Sequence, residues 1–209
     1  MSDPSNVAGL ILAAGAGSRF GGGKMRARLD GRPLVAHVLD AARAAGLGRL
    51  VVVLGRDAVE VRAAILAADP AALDGVLVAV NGAPERGLAT SLRLGLAAAT
   101  AGPRPDGVLV LLGDQPRVRP EVIAAVIAAA APPGALAVVP AHGDDRAPNP
   151  VLVLPAAAAL VDELDGDRGL GALLAARPER VVRVSVAGAN PDVDTVADLA
   201  ALEGSPRAH

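Results

Sequence analysis

The chain has no cysteine, no tryptophan and no tyrosine, and a single phenylalanine, Phe20. The lack of cysteine excludes disulfides, thiolate nucleophiles and cysteine-bound zinc. The lack of aromatics leaves Ala, Val, Leu and Ile to fill the core. These bury little area each, so helices and sheet must approach closely. Histidine is scarce as well: His37, His142 and His209 are widely spaced and none pairs with another at metal-ligand spacing. Neither charge sign dominates. The net charge is −2, which does not suit a polyanion held by bulk charge, and no nucleic-acid partner is expected. No apolar run is of membrane length, since the longest, Val122 to Ala131, stops at Pro132-Pro133. The opening residues, Met1 to Asn6, show no basic stretch before an apolar one. No signal peptide is expected, and the expected location is the cytoplasm.

What is present is apolar and small. Hydrophobic residues make up 52% of the 209 positions. That suits one domain, residues 1–209, with an ordered core from about residue 7 to residue 203. Strand-like apolar runs occupy Val7 to Leu12, Arg49 to Leu54, Gly75 to Val80 and Gly107 to Leu112. The last is continuously apolar, which predicts a central strand. Leu136 to Val139, Pro150 to Leu154 and Val181 to Val186 read as later strands. Helical spacing covers Pro33 to Ala45, a stretch after Asp57 to Ala68 with Asp57 as its cap, and Ala89 to Thr100. Further helices are expected from Pro120, over Pro155 to Leu164, over Gly169 to Ala176 and over Thr195 to Leu202. Strand and helix alternate, which predicts an α/β fold: a three-layer, Rossmann-like, mainly parallel open sheet with helices on both faces. Such sheets bind ligands beyond the carboxyl ends of their strands.

The loop after the first strand reads Ala13-Ala14-Gly15-Ala16-Gly17-Ser18-Arg19-Phe20-Gly21-Gly22-Gly23-Lys24. Gly15 and Gly17 present no Cβ to keep a phosphate off the backbone, and successive amides make an anion nest. Arg19 adds a planar fork and Lys24 a mobile point charge. Lys24 is the only lysine of the chain and Gln115 the only glutamine. A Walker loop would need glycine where Ser18 stands and Ser or Thr where Met25 stands. A dinucleotide fingerprint beginning at Gly15 would need a small residue in place of Phe20.

The run from Leu12-Ala13-Ala14-Gly15 through Arg19-Phe20-Gly21 to Lys24, then Gly31-Arg32-Pro33-Leu34, resembles the opening signature of the MobA-like nucleotidyltransferases. Within them it is most similar to molybdenum cofactor cytidylyltransferases of the MocA type. Gly87-Leu88-Ala89-Thr90-Ser91-Leu92 resembles the second nucleotide segment, and Leu112-Gly113-Asp114-Gln115-Pro116 the metal segment. Asn149-Pro150-Val151-Leu152, Gly166-Asp167-Arg168-Gly169 and Asp192-Val193-Asp194-Thr195 resemble later segments. The likeness runs from about residue 8 to residue 202, with acceptor-side elements at roughly 135–176.

The resemblance implies transfer of a nucleoside monophosphate from an NTP to a phosphorylated small-molecule acceptor, with release of pyrophosphate. The acceptor it implies is molybdopterin or molybdenum cofactor, and it also allows docking to a molybdoenzyme or its chaperone. Leu12, Ala13, Ala14, Gly15, Gly17, Ser18, Arg19, Lys24 and Ser91 would hold the nucleotide. Lys24, Arg19 and Asp114 would be catalytic. Mg²⁺ would sit on Asp114 and on a second carboxylate, Asp194 or else Asp192; Asp194 is equally placed to cap the last helix. Alanine at both 13 and 14 resembles the CTP-using branch, whereas paired glycines mark the GTP-using one. Other NTPs, sugar or polyol phosphate acceptors, and a nucleotide-binding module without turnover stay open. Gly171, Val196 and Arg146-Ala147-Pro148 depart from the family pattern, mostly on the acceptor side. His142 opens a polar loop, residues 142–149, that the acceptor side uses as either lid or solvated surface. Arg117 and Arg119 are candidates to meet an anionic acceptor or are surface charges.

Overall fold

The computed structural model describes residues 3–15, 17–142, 149–161 and 163–204, with the side chain of residue 158 left out. The polar loop named above lies outside them between residues 143 and 148. The elements follow in chain order. Strand β1 is Val7–Ala13; a small hairpin is β2 (Arg28–Leu29) and β3 (Arg32–Pro33); helix α1 is Leu34–Ala44. Then come β4 (Leu50–Leu54), α2 (Ala58–Ala68), β5 (Val76–Val80), α3 (Leu88–Thr100), β6 (Gly107–Leu112) and α4 (Pro120–Ala128). The remainder is β7 (Ala137–Ala141), β8 (Val151–Val153), α5 (Ala158–Val161), α6 (Leu170–Ala175), β9 (Val181–Ser185) and α7 (Val196–Glu203).

Seven strands form one sheet in the order β5-β4-β1-β6-β8-β7-β9. All pairings are parallel except those of β8, which runs against β6 and β7. The period-two alternation of strands sorts the apolar side chains into two layers. Val7, Ile11, Val52, Leu54, Leu109 and Leu111 face α1, α2 and α4, packing with Val35, Val61 and Ile123. Leu10, Leu12, Val51, Val53, Val108 and Val110 face α3 and α6, packing with Leu92 and Leu173. The aromatic-poor core closes by close approach: at Gly95 of α3 a Cβ would lie 2.3 Å from a methyl of Leu10. Any side chain there would push α3 off the sheet.

The expected central strand is β6, flanked by β1 and β8. β5 is an edge strand, and its half-exposed pattern reflects that position. Three expectations are corrected. The helix expected over Pro155 to Leu164 is a 3₁₀ turn, Pro155–Ala157, followed by the single turn of α5. Asp57 stands at the cap of α2 but its carboxylate bonds no helix amide. Pro33 ends β3 and caps α1 rather than opening its first turn.

The topology gathers one edge of the sheet. The loops after β1, β5, β6, β7 and β9 all leave there, and antiparallel β8 begins there. Two halves meet across a seam: the amide of Ala89 in α3 donates to the carbonyl of Gly166 at 3.1 Å. Gly87 sits at φ 101°, and a Cβ on it would lie 2.2 Å from the Gly166 carbonyl group.

Candidate active site

The glycine loop leaves the buried β1 and turns twice, through 3₁₀ turns Ser18–Phe20 and Lys24–Arg26. Left-handed glycines supply the turns: Gly17, Gly21, Gly22 and Gly23 have φ of 59°, 88°, 93° and 66°. No α-helix opens on the loop, so its donors are loop amides. Gly15 and Gly17 differ in purpose. A Cβ at Gly17 would lie 2.8 Å from Cβ of Lys24, so glycine there lets the lysine turn inward. A Cβ at Gly15 would meet nothing within 4 Å, so glycine there keeps space open.

Lys24 is buried, with a side chain 8% exposed. Its Nζ donates to Oδ2 of Asp114 at 2.7 Å and to Oδ1 of Asp194 at 2.9 Å. The second oxygen of Asp194, Oδ2, pairs with Arg19 at 2.9 Å. Burial alone would push the ammonium pKa down. Hydrogen bonds and charge from Asp114, then Asp194, outweigh it and hold Lys24 above its usual value. Asp194 is free for this because Thr195 caps α7. The Thr195 hydroxyl accepts from the Asp198 amide, and the Asp198 carboxylate accepts from the Thr195 amide at 2.7 Å and the Asp194 amide at 3.0 Å. The Thr195 hydroxyl also donates to that carboxylate at 2.8 Å, and this bond, then the backbone ones, hold the Asp198 carboxyl below its usual pKa. They also fix the backbone that aims Asp194.

A cavity of about 200 Å³ opens beside the clasp, lined by Leu12, Ala14, Gly15, Gly17, Lys24, Leu88, Ser91 and Asp114 among others. Ala13 is buried below it, whereas Ser18 is exposed on the outer turn. Ser91 is 4% exposed, and its Oγ accepts from Asn81 Nδ2 at 2.8 Å. Ser91 lines the cavity, and a hydroxyl can donate as well as accept. Asn81 also donates to Thr90 Oγ1 and accepts from the Ala83 amide. It stands at the end of β5 and braces the start of α3. Its residue type alone does not mark it, since asparagine is common where a strand gives way to a loop.

On the far side of Asp114 a chain of amides begins. Gln115 is 2% exposed. Its Nε2 donates to Asp192 Oδ1 at 2.9 Å, and its Oε1 accepts from Asn190 Nδ2 at 2.9 Å. Burial, then the nearby Asp114 charge, raise the pKa of Asp192. Asp192 thus answers to Gln115, and the two carboxylates on Lys24 are Asp114 and Asp194. Arg117 donates to the Leu202 carbonyl at 3.0 Å, and Arg119 bonds the Ala187 carbonyl. Both are tied to backbone. His37 bonds the Leu29 carbonyl from within α1. A second cavity, about 240 Å³, lies at the opposite edge beside Gly107 and Val153, away from all these groups.

The donor set suits a hard divalent cation. Asp114 and Asp194 already converge on one positive charge, and magnesium is commonly held by one or two carboxylates with phosphate and water completing its shell. Among the described residues no group of three His, Cys, Asp or Glu gathers. The other ligands would have to come from substrate and solvent.

A mainly parallel sheet that brings a glycine loop, a buried lysine and two aspartates to one edge is an arrangement suited to phosphate binding in α/β proteins. Residues 9–181 match the family described as MobA-like NTP transferase domain. The chain belongs to that family, and its fold and class are those of a nucleotidyltransferase. It is similar over nearly its whole length to Rv0371c of Mycobacterium tuberculosis H37Rv. The identity is 31%, the TM-score 0.80, and the match covers 97% of this chain and 100% of that one. The same protein is known in complex with manganese; that structure matches with a TM-score of 0.77 at 31% identity, over 96% of this chain and 99% of the other. The inositol-1-phosphate CTP transferase of T. maritima shares the fold, with a TM-score of 0.72 at 16% identity, covering 98% of each chain. Bifunctional protein GlmU of Burkholderia mallei (strain SAVP1) is 52% identical over 62 residues, which is 29% of this chain. The chain spans only 14% of that relative's length. Among the described residues no helix is long and apolar enough to cross a membrane.

Proposed function

We propose that this chain is one nucleotidyltransferase domain that moves CMP from CTP to a phosphate on a small acceptor of the molybdenum cofactor type, with Mg²⁺. The observation that carries the reading is the Lys24 ammonium held between Asp114 and Asp194 at the mouth of the glycine loop. In the reaction an acceptor phosphate oxygen bonds to the α-phosphorus. The bond from that phosphorus to its bridging oxygen breaks, and pyrophosphate leaves with the electron pair. The attacking oxygen is already anionic, so no strong base is needed. Positioning and charge stabilisation do the work.

Each residue has a part in this. Loop amides around Gly15 and Gly17, with Leu12, Ala13, Ala14 and Ser18, cradle the nucleotide. Lys24 has three ammonium protons, of which the aspartates take two; the third serves a phosphate oxygen. Arg19, whose side chain is 76% exposed, swings over the outer phosphates. Ser91 donates to the base. Asp114 and Asp194 would hold the metal, which when bound supplies Lewis-acid stabilisation of phosphate charge. The alanine pair at 13 and 14 favours CTP. A phosphorylated polyol is the second acceptor class, favoured by the shared fold with a polyol-phosphate CTP transferase.

Pyrophosphate release tests this, measured for each of four NTPs with Mg²⁺ or Mn²⁺, with and without molybdenum cofactor or a polyol phosphate. Metal-dependent release with CTP and one acceptor is expected. CTP binding without turnover on any acceptor would instead make the protein a nucleotide-binding module.

A further inference from the structure

The amide chain beyond Asp114 has a fixed polarity. An ionised carboxylate only accepts, so Asp192 forces Gln115 to present Nε2 to it and Oε1 to the other side. That oxygen forces Asn190 to present Nδ2, which also reaches the Asn149 carbonyl at 3.4 Å. Asn190 Oδ1 is left as an acceptor. It is buried and has no hydrogen-bond partner among the described residues. A second fixed group is bonded to the same segment. His142, at the end of β7, is 7% exposed, and its Nδ1 bonds the Gly188 carbonyl at 2.9 Å. A carbonyl only accepts, so Nδ1 carries the proton and the neutral ring shows Nε2 as a lone pair. That atom too is buried, without a partner among the described residues.

Asn190 thus stands on the segment that joins β9 to Asp192 and Asp194, and His142, at the end of β7, is bonded to that same segment at Gly188. Burying such atoms unpaired is costly, and they are completed by water, an ion or a ligand. His142 lies within residues 135–176, the stretch the family resemblance gives to the acceptor, and Asn190 is tied to that side through the Asn149 carbonyl. We infer that His142 Nε2 and Asn190 Oδ1 read N–H or O–H donors on the body of the phosphorylated acceptor. The inference rests on the nucleotidyltransferase reading for the identity of the ligand, but not for the chemistry it must offer. An acceptor whose body carries no donor would leave both atoms unpaired and be rejected.

The test uses full-length protein labelled with ¹⁵N-histidine, saturated with Mg²⁺ and α,β-methylene-CTP. The His142 signals are assigned by their loss in His142→Phe or, should that chain not fold, in His142→Gln. Three phosphate esters are titrated: a pterin phosphate (N–H donors), inositol 1-phosphate (O–H donors) and phenyl phosphate (no donor on its ring). The expected result is an Nδ1–H tautomer in the free protein and a shift of Nε2 with one of the first two only. Which of them moves it separates the two donor sources. In turnover, His142→Phe should raise the acceptor KM by about tenfold, the scale of one lost hydrogen bond to a buried group. The KM for CTP should stay within about twofold. An Nε2–H tautomer, no shift with either donor-bearing ester, an equal shift with phenyl phosphate, or a CTP KM that moves as far as the acceptor's would each overturn the inference. If Nε2 shifts but wild-type protein releases no pyrophosphate with any ester, the transferase reading fails and the donor-reading site stands.

Discussion

The two sides of Asp114 solve opposite problems. On the glycine-loop side the charges of the site answer one another: Lys24 is held by two aspartates, and Asp194 by Lys24 and Arg19. On the proposed acceptor side the polar groups are ordered but incomplete, with His142 Nε2 and Asn190 Oδ1 unpaired among the described residues. In the proposed reaction the first side exchanges partners when a polyphosphate arrives, and the second only gains them. Nucleotide binding should therefore respond to charge deletion, and acceptor binding to hydrogen-bond deletion.

The largest effects should come from the charged side. Lys24→Ala and Asp114→Ala are each expected to lower turnover at least ~100-fold, the scale of losing a charge-stabilising group. Initial-rate pyrophosphate release checks both, and a near-normal rate in either removes its assigned role. Arg19→Ala should cost less, about tenfold, because its guanidinium is mostly in solvent and Asp194 keeps Lys24. A loss equal to that of Lys24→Ala would show that the two cations act as one unit. Asn81→Ala leaves Ser91 and Thr90 without their donor. It is expected to destabilise the protein by about 1–2 kcal/mol in urea melts and to raise the KM for CTP more than it lowers kcat.

The smallest effect concerns Asp192. Its raised pKa means that the folded state binds the proton more tightly than the unfolded chain. The carboxylate therefore costs stability above its folded pKa, and that cost vanishes as pH falls below the unfolded value. Asp192→Asn should raise Tm at pH 7 by about 1–2 °C and by nothing at pH 3. A lower Tm at pH 7 would mean that the bond from Gln115 outweighs the crowding by Asp114.

Much of this was legible in the residues. β1, β4 and β6 are continuous apolar runs because both their faces are buried, and the glycine loop announces itself directly after one of them. Asp114 could be placed because it ends the central strand. What could not be read is who partners whom. Lys24 suggested a phosphate ligand, yet it rests on Asp194, 170 residues away. Gln115 drew notice as the only glutamine, but its bonds to Asp192 and Asn190 span 77 and 75 residues. Only folding brings such groups together. Asp194 was the candidate cap of α7, and the reciprocal bonds between Thr195 and Asp198 put the cap one residue later, at Thr195.

The seam between Gly87 and Gly166 has a consequence for engineering. The helix start that carries Ser91 and the turn before α6 touch backbone to backbone, with no room for even a methyl between them. Acceptor-side segments transplanted from a relative would dock only if the helix start that receives them keeps position 87 bare; the glycine at 166 answers instead to its positive φ of 58°. The compatibility of a chimaera thus turns on the absent side chain of Gly87, and Gly87→Ala is the smallest change that should stop a transplanted half from fitting.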